Sequence, residues 1–248
     1  MFSSYTDPEA YMEGSLLFSS SHLISLCLTL ALLLFLFLLR NKAWMKLSGR
    51  WLIILGLGGS EIWLNYWYIS TNMWDIRYTL PFQLCSISLY LCIWMLVTRQ
   101  KWVFEVVYFL GIGGALQALL TPELFYDFPH FRFLHFFIAH ITIILAVFYM
   151  IWVEKFQVKF KSVWKAFAAL NVTALAVFMV NRLTGGNYMF LAKKPTNASL
   201  IDFLGPYPWY ILSLELVVLA IFMLLYTPFY IKEKLKSNKN EKAGDRSY

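Results

Sequence analysis

This chain alternates between long apolar runs and short polar connections. Seven runs each have about the 17–25 residues that an α-helix needs to cross the hydrocarbon core of a bilayer. Inside lipid every backbone N–H and C=O must be bonded within its own segment, so these runs are predicted to be helices. The pattern predicts an all-α polytopic membrane protein. Its predicted spans are Ser15–Leu39, Gly49–Ile69, Thr79–Thr98, Trp102–Leu120, Phe133–Val153, Val163–Asn181 and Pro208–Ile231.

The basic residues are distributed unevenly between the two sides of these spans. Lys and Arg are concentrated in the first, third and fifth connections and in the segment after the last run. Because cytoplasmic loops are enriched in Lys and Arg, the N-terminus is predicted outside and the C-terminus in the cytoplasm of a multi-pass cell-membrane protein. We expect one membrane domain at 1–231, followed by a basic, disordered cytoplasmic tail at 232–248. The net charge of +7 reflects this asymmetry and does not indicate a nucleic-acid partner.

Composition restricts the function classes further. The 248 residues are 60% hydrophobic and only 14% charged, whereas soluble domains have about 25% charged residues. The cysteines Cys27, Cys85 and Cys92 all fall inside predicted helices, so they form neither a disulfide framework nor a zinc motif. No phosphate loop or dinucleotide motif is convincing, and no metal or cofactor is predicted. Membrane lipids are the expected partners, and the oligomeric state is left open.

Polar residues lie within the predicted spans, where their cost makes each one a functional hypothesis. At about 1.5 Å per residue, six of the seven helices place a polar side chain in the outer half of the membrane. The inner half has little beyond Glu105 and Asn171, so the site is predicted in the outer half. The members of this outer layer are His22, Glu61, Asn65, Cys85, Gln117, His135, His140 and Glu215.

Two of these residues have the chemistry of a nucleophilic site. A base such as His140 can take the proton of Cys85, and the thiolate then attacks an acyl carbon. Glu61, Asn65 or Gln83 would support the pair, and the shared depth predicts that Cys85, His140 and Glu61 line one cavity. His135 and His140 are five residues apart, about 140° around a helix, which excludes a zinc-protease pair.

Less specific interpretations remain open for the same residues. Ser86 is an alternative nucleophile, and Cys85 is alternatively a small buried hydrophobe. The histidines and carboxylates can be satisfied structural groups that bond between helices. The protein is then a small-molecule transporter or binding protein that uses the polar layer, or a structural membrane protein without a substrate. The outer loop at 182–207 is predicted to fold over the outer face or to lie at the interface.

Several short motifs spread over the chain resemble those of a known family. The motifs are Ser21-His22-Leu23, Leu80-Pro81-Phe82-Gln83-Leu84-Cys85, His135-Phe136-Phe137-Ile138-Ala139-His140, Asn187-Tyr188-Met189 and Gly205-Pro206-Tyr207-Pro208-Trp209-Tyr210. In these the chain resembles the YwaF-type family of bacterial integral membrane proteins. That family is similar to the animal transmembrane protein 164 family, which acylates ether phospholipids with a cysteine and a histidine.

The resemblance implies lipid acyl transfer or hydrolysis by Cys85 and His140. In the animal family the cysteine directly follows the proline that opens the equivalent helix. Phe82 occupies that place here, and Cys85 lies three residues further on.

Overall fold

The computed structural model describes residues 5–12, 14–195 and 200–244, and over these residues the chain is helical without a strand. A short π-helix, Met45–Gly49, leads directly into the second helix, and two 3-10 turns, Tyr188–Phe190 and Leu200–Leu204, lie between the last two. The seven α-helices are α1 Ser20–Leu39, α2 Arg50–Ser70, α3 Leu84–Thr98, α4 Lys101–Leu120, α5 Phe131–Trp152, α6 Phe160–Thr184 and α7 Trp209–Gly244.

Five of these helices are long and apolar enough to cross a membrane. They are α1, α4, α5, α6 and the part of α7 up to Asn238. The α2 helix has 21 residues, but Glu61, Asn65 and several Trp and Tyr residues reduce its hydropathy. The α3 helix has 15 residues and begins at Leu84, because the segment around Pro81 is not helical. The chain is therefore a multi-pass membrane protein with two helices that depart from the regular span.

The α4 and α5 helices form the centre of the bundle. The α4 helix is buried on nearly all sides from Val103 to Ile112 and contacts α3, α5, α6 and α7. The α5 helix contacts α1, α2, α3 and α4. Lipid tails are as apolar as leucine, so membrane helices associate through close van der Waals packing rather than through the hydrophobic effect. All the other helices are thus positioned by contacts with this central pair.

Some helix glycines lie at tight contacts between helices and others do not. Gly111 of α4 faces Ile143 and Val147 of α5. A Cβ on Gly56 of α2 would lie 2.9 Å from Cγ2 of Thr142 on α5, which is too close. By contrast, a Cβ on Gly59 would meet no atom within 4 Å. Gly56 therefore allows α2 to approach α5 closely.

The described N-terminal residues lie across the C-terminal end of α2 and the N-terminal end of α5. The carbonyl oxygen of Thr6 accepts a hydrogen bond from Trp67 Nε1 at 2.9 Å, and that of Pro8 accepts one from the Tyr126 hydroxyl at 2.9 Å. His130 precedes α5 and is buried. Its Nδ1 accepts the backbone N–H of Arg132, so Nε2 carries the proton and donates to the carbonyl of Asp7 at 3.1 Å. Neutral His130 thus joins the N-terminal segment to the start of α5.

The last helix extends past the predicted end of the membrane domain. The sequence predicts a disordered tail from residue 232, but α7 continues without a break as far as Gly244. Lys, Glu and Leu predominate in the first part of this basic stretch, and all three are good helix formers. The division into a membrane domain and a separate tail stays a prediction.

We expect the Gly56→Ala substitution to destabilise the protein, because the new methyl group pushes α2 away from the branched side chain of Thr142. Overpacking of this kind costs roughly 1–3 kcal/mol. Gly59→Ala is the matched control: it meets no neighbour and gains about 1 kcal/mol of helix propensity. Thermal unfolding in detergent should show a lower midpoint for the first variant only. Equal midpoints would contradict the close contact.

We also expect stability to fall with acidity through His130. Burial lowers the pKa of His130 below its ordinary value of 6.5, and the positive charge of Arg132 adds to this effect. The unfolded chain therefore binds the proton more readily, so the stabilisation is present above about pH 6.5 and is lost as the pH falls. His130→Asn keeps a helix-capping side chain without the titration. The unfolding midpoint should drop more between pH 7 and 5 in the wild type than in this variant; parallel curves would contradict the assignment.

Candidate functional site

The α1 and α5 helices run side by side in the same direction. The rings of His22 and Phe137 are 6.1 Å apart, and those of Phe37 and Trp152 are 5.2 Å apart. The same number of residues separates the two members of each pair, so the register between the two helices is constant along their length. Three residues after His22 is Ser25, and three residues after Phe137 is His140. Ser25 and His140 therefore lie at the same depth.

His140 has one ring nitrogen available for chemistry. Its side chain is only 7% exposed. Nδ1 lies 2.6 Å from the carbonyl oxygen of Phe136, and because a carbonyl only accepts, Nδ1 carries the proton. Nε2 then has a free lone pair, and no hydrogen bond to it is found in the part of the chain that the structure describes. An unpartnered nitrogen of this kind, on a largely buried side chain, can act as a base.

The neighbours of α5 show the direction in which His140 points. Phe137 faces α1, Val147 faces α4 and Thr142 faces α2. At about 100° per residue, His140 lies roughly 20° from Val147, 60° from Phe137 and 160° from Thr142. It points between α4 and α1, away from α2.

We call the contact between α1 and α5 the α1–α5 seam and define it by His22, Ser25, Thr29 and His140. Ser25 and Thr29 are buried, and each hydroxyl donates to a backbone carbonyl four residues earlier, at 2.9 and 2.8 Å. The lone pairs of both hydroxyl oxygens remain. The sequence prediction missed these two residues, although their spacing of three and seven from His22 placed them on its face.

His22 has a structural role in this seam. Its Nε2 donates to the carbonyl oxygen of Leu119 at 2.8 Å, and its Nδ1 accepts the backbone N–H of Phe18 at 3.1 Å. Both ring nitrogens are thus satisfied in a fully buried side chain. His22 joins the start of α1 to the C-terminal end of α4.

Cys85 lies elsewhere, on the face of α3 that packs against α4. Its Sγ is 4.0 Å from the point that a Cβ on Gly114 would occupy. Gly111 of α4 faces Ile143 of α5, and the two helices are antiparallel. Gly114, three residues after Gly111, is therefore level with His140, three residues before Ile143. Cys85 and His140 therefore share a depth, but no hydrogen bond joins them among the described residues.

Glu61 and Asn65 line a groove between α2 and α3. The groove has a volume of about 610 Å³, and Cys85 and His140 are absent from its lining. Tyr90 of α3 donates to Glu61 Oε1 at 3.1 Å, and the Asn65 amide lies 3.5 Å from the same oxygen. The prediction of one cavity shared with Glu61 is wrong, because His140 points away from α2 on the other side of α5.

The other members of the predicted layer have different partners. His135 Nδ1 lies 3.5 Å from Nη1 of Arg132, and His135 Nε2 is buried without a partner among the described residues. Glu215 accepts a hydrogen bond from Asn171 at 3.0 Å, which joins α7 to α6. The layer is thus distributed over several helix contacts instead of forming one site.

Gln83, Asn187 and Tyr188 hold the outer loop. Gln83 Oε1 accepts the Met189 N–H at 3.0 Å. The buried Tyr188 hydroxyl donates to the Ile76 carbonyl at 2.7 Å, and Asn181 bonds both backbone groups of Tyr188.

Asn187 closes a turn with the backbone of Ala192 and Lys193 at 3.0 Å. These bonds fix the loop directly above the first turn of α3, where Cys85 lies. The three polar side chains therefore serve the loop's structure.

The comparisons with known proteins give one match. The model of the TMEM164 family matches residues 17–226, a range that includes every predicted site residue. No curated protein and no solved structure matches the chain. Within the described residues no cluster of His, Cys, Asp and Glu has the arrangement of a metal site.

Proposed function

The chain belongs to the TMEM164 family, and on that premise we propose that it is a cell-membrane enzyme that transfers or hydrolyses a lipid acyl group. The observation that supports this proposal most directly is the buried His140 with its unpartnered Nε2. A nitrogen with a free lone pair, level with the Ser25 hydroxyl on the adjoining helix, suits a general base better than a packing residue. We also propose that the chain is a YwaF-type bacterial membrane protein.

In the proposed reaction His140 is the base and Cys85 the nucleophile. The Cys85 thiol gives its proton to His140 Nε2, and the sulfur attacks the ester carbon of an acyl chain. The carbon–oxygen bond breaks, and the leaving alcohol takes the proton from His140. Attack on the resulting thioester by a hydroxyl group or water, with His140 again as base, releases Cys85.

The proposal requires Cys85 and His140 to approach each other when the substrate is bound. Their common depth beside Gly114 favours this, and catalytic hydrogen bonds are often longer before the substrate binds. Ser25 is an alternative nucleophile, because it is level with His140 on the adjoining helix. Glu61 and Asn65, on the other side of α5, have no role in this reaction.

A second candidate function is binding or transport of a small molecule. The groove beside Glu61 favours it, because a cavity of about 610 Å³ falls within the size range of ligand sites.

Seven crossings, with the N-terminus outside, are also part of the proposal. The described basic residues at the ends of α1, α3 and α5, and those after the apolar part of α7, support this orientation. Reporter fusions after Asn41 and at the C-terminus should both report the cytoplasm. A signal from the opposite side at either position would contradict seven crossings.

Comparative lipidomics tests the reaction. Cells that express the wild-type chain should differ in acyl composition from cells without it, and Cys85→Ser and His140→Asn should abolish the difference. Asparagine keeps a donor near the Phe136 carbonyl and removes the base. Cys92→Ser is the control, because this buried cysteine lies two turns further along α3.

Each outcome has a definite meaning. Loss of activity in Ser25→Ala but not in Cys85→Ser would assign the nucleophile to α1. Unchanged lipids with the wild-type chain would exclude the enzymatic function and favour the binding function.

A further inference from the structure

The groove between α2 and α3 contains a carboxylate that is only half satisfied. Glu61 is 8% exposed. Its Oε1 is held by Tyr90 and Asn65, whereas no hydrogen bond to Oε2 is found among the described residues. This oxygen is not one of the fully buried atoms without a partner, so it is accessible from the groove that Glu61 lines. The free oxygen therefore marks a place for a hydrogen-bond donor from a ligand.

No basic side chain of the described chain forms an ion pair with Glu61. The Arg132 side chain is directed toward aromatic rings instead. Its guanidinium lies over the rings of Trp67 and Tyr68, with its centre 5.7 and 5.5 Å from theirs. A buried carboxylate stays ionised only when a positive charge pairs with it, and a cationic ligand would supply that charge here.

The walls of the groove are apolar and open toward the lipid. The lining is completed by Gly58, Ile62, Tyr66, Ile69 and Ile93. Ile62, Tyr66 and Ile69 are exposed on the outer surface of α2, at 73%, 66% and 65%. Gly58 carries no side chain, which leaves space at the floor. A molecule that enters this groove comes sideways from the bilayer and needs an apolar body.

We propose that this groove binds a cationic amphiphile, a molecule with an apolar chain and a protonated amine. The ammonium group donates to Glu61 Oε2 and supplies the missing positive charge, and the chain lies along Ile62, Ile69 and Ile93. Tyr90 and Asn65 keep the carboxylate turned into the groove. Charge-assisted hydrogen bonds of this type are about twice as strong as neutral ones, so the amine is preferred to an alcohol of the same length.

This site is independent of the proposed acyl chemistry. His140 points away from α2 on the opposite side of α5, and Cys85 faces α4. A protein without acyltransferase activity would still have the groove.

The test uses the purified full chain in phosphatidylcholine nanodiscs. Three photoreactive alkyl probes of equal chain length carry an ammonium, a hydroxyl or a sulfate head. We expect the ammonium probe to label groove residues about tenfold more than the hydroxyl probe, which corresponds to about 1.4 kcal/mol. Unlabelled dodecylammonium should compete, and mass spectrometry should locate the label on α2 or α3.

Glu61→Gln should remove the preference for the ammonium head and keep the shape of the groove. Glu215→Gln is the matched control, because that membrane carboxylate is already paired with Asn171. His140→Asn should label as the wild type does. Equal labelling by all three heads, or a preference that survives Glu61→Gln, would overturn the proposal.

A second variant, Ile62→Trp, tests the proposal if the Glu61→Gln protein does not fold. Ile62→Trp places a large side chain at the lipid-facing mouth and leaves the carboxylate intact. It should reduce labelling by the ammonium probe to the level of the hydroxyl probe. Unchanged labelling of a folded Ile62→Trp protein would show that the amine binds elsewhere.

Discussion

The close contact between α4 and α5 is the constraint on which the rest of the structure depends. Gly111 lies against Ile143 and Val147 without an intervening side chain of its own. Every other helix contacts at least one member of this pair. Because apolar side chains gain little by leaving lipid for protein, the order of the bundle depends on shape at such contacts. Each polar group therefore lies at the particular contact that its own helix makes with a neighbouring helix.

The positions of the helices could be predicted from the sequence because they depend on local chemistry. An apolar run of sufficient length in lipid has to satisfy its own backbone, and the observed α4 and α5 agree with the predicted spans within two residues. The start of α3 was predicted five residues too early. There the hydroxyl of Tyr188 accepts the N–H of Leu80 at 2.9 Å, and such a bond from a distant residue leaves no local signal.

The candidate site was harder to predict because the depth of a residue along its helix and the direction of its side chain depend on different features. Depth follows from residue number, so the sequence predicts Glu61 and His140 at similar depths. Direction around a helix depends on which neighbour packs on which face. Glu61 faces α3 and His140 faces the side of α1, which separates residues that depth alone placed together. Ser25 and Thr29 were overlooked because a serine or threonine in a membrane helix usually bonds its own backbone.

The register between α1 and α5 has a consequence for how the protein is made. The residues that meet across the α1–α5 seam are far apart in the chain, and α1 makes its main helix contact with α5. At a synthesis rate of about 5–20 residues per second, α1 emerges from the ribosome roughly 6–23 seconds before its partner. During this interval His22, Ser25 and Thr29 face either lipid or the insertion machinery. The α1 helix thus finds its place only after α5 has been made, and its polar face is a reason for the translocon to retain it until then.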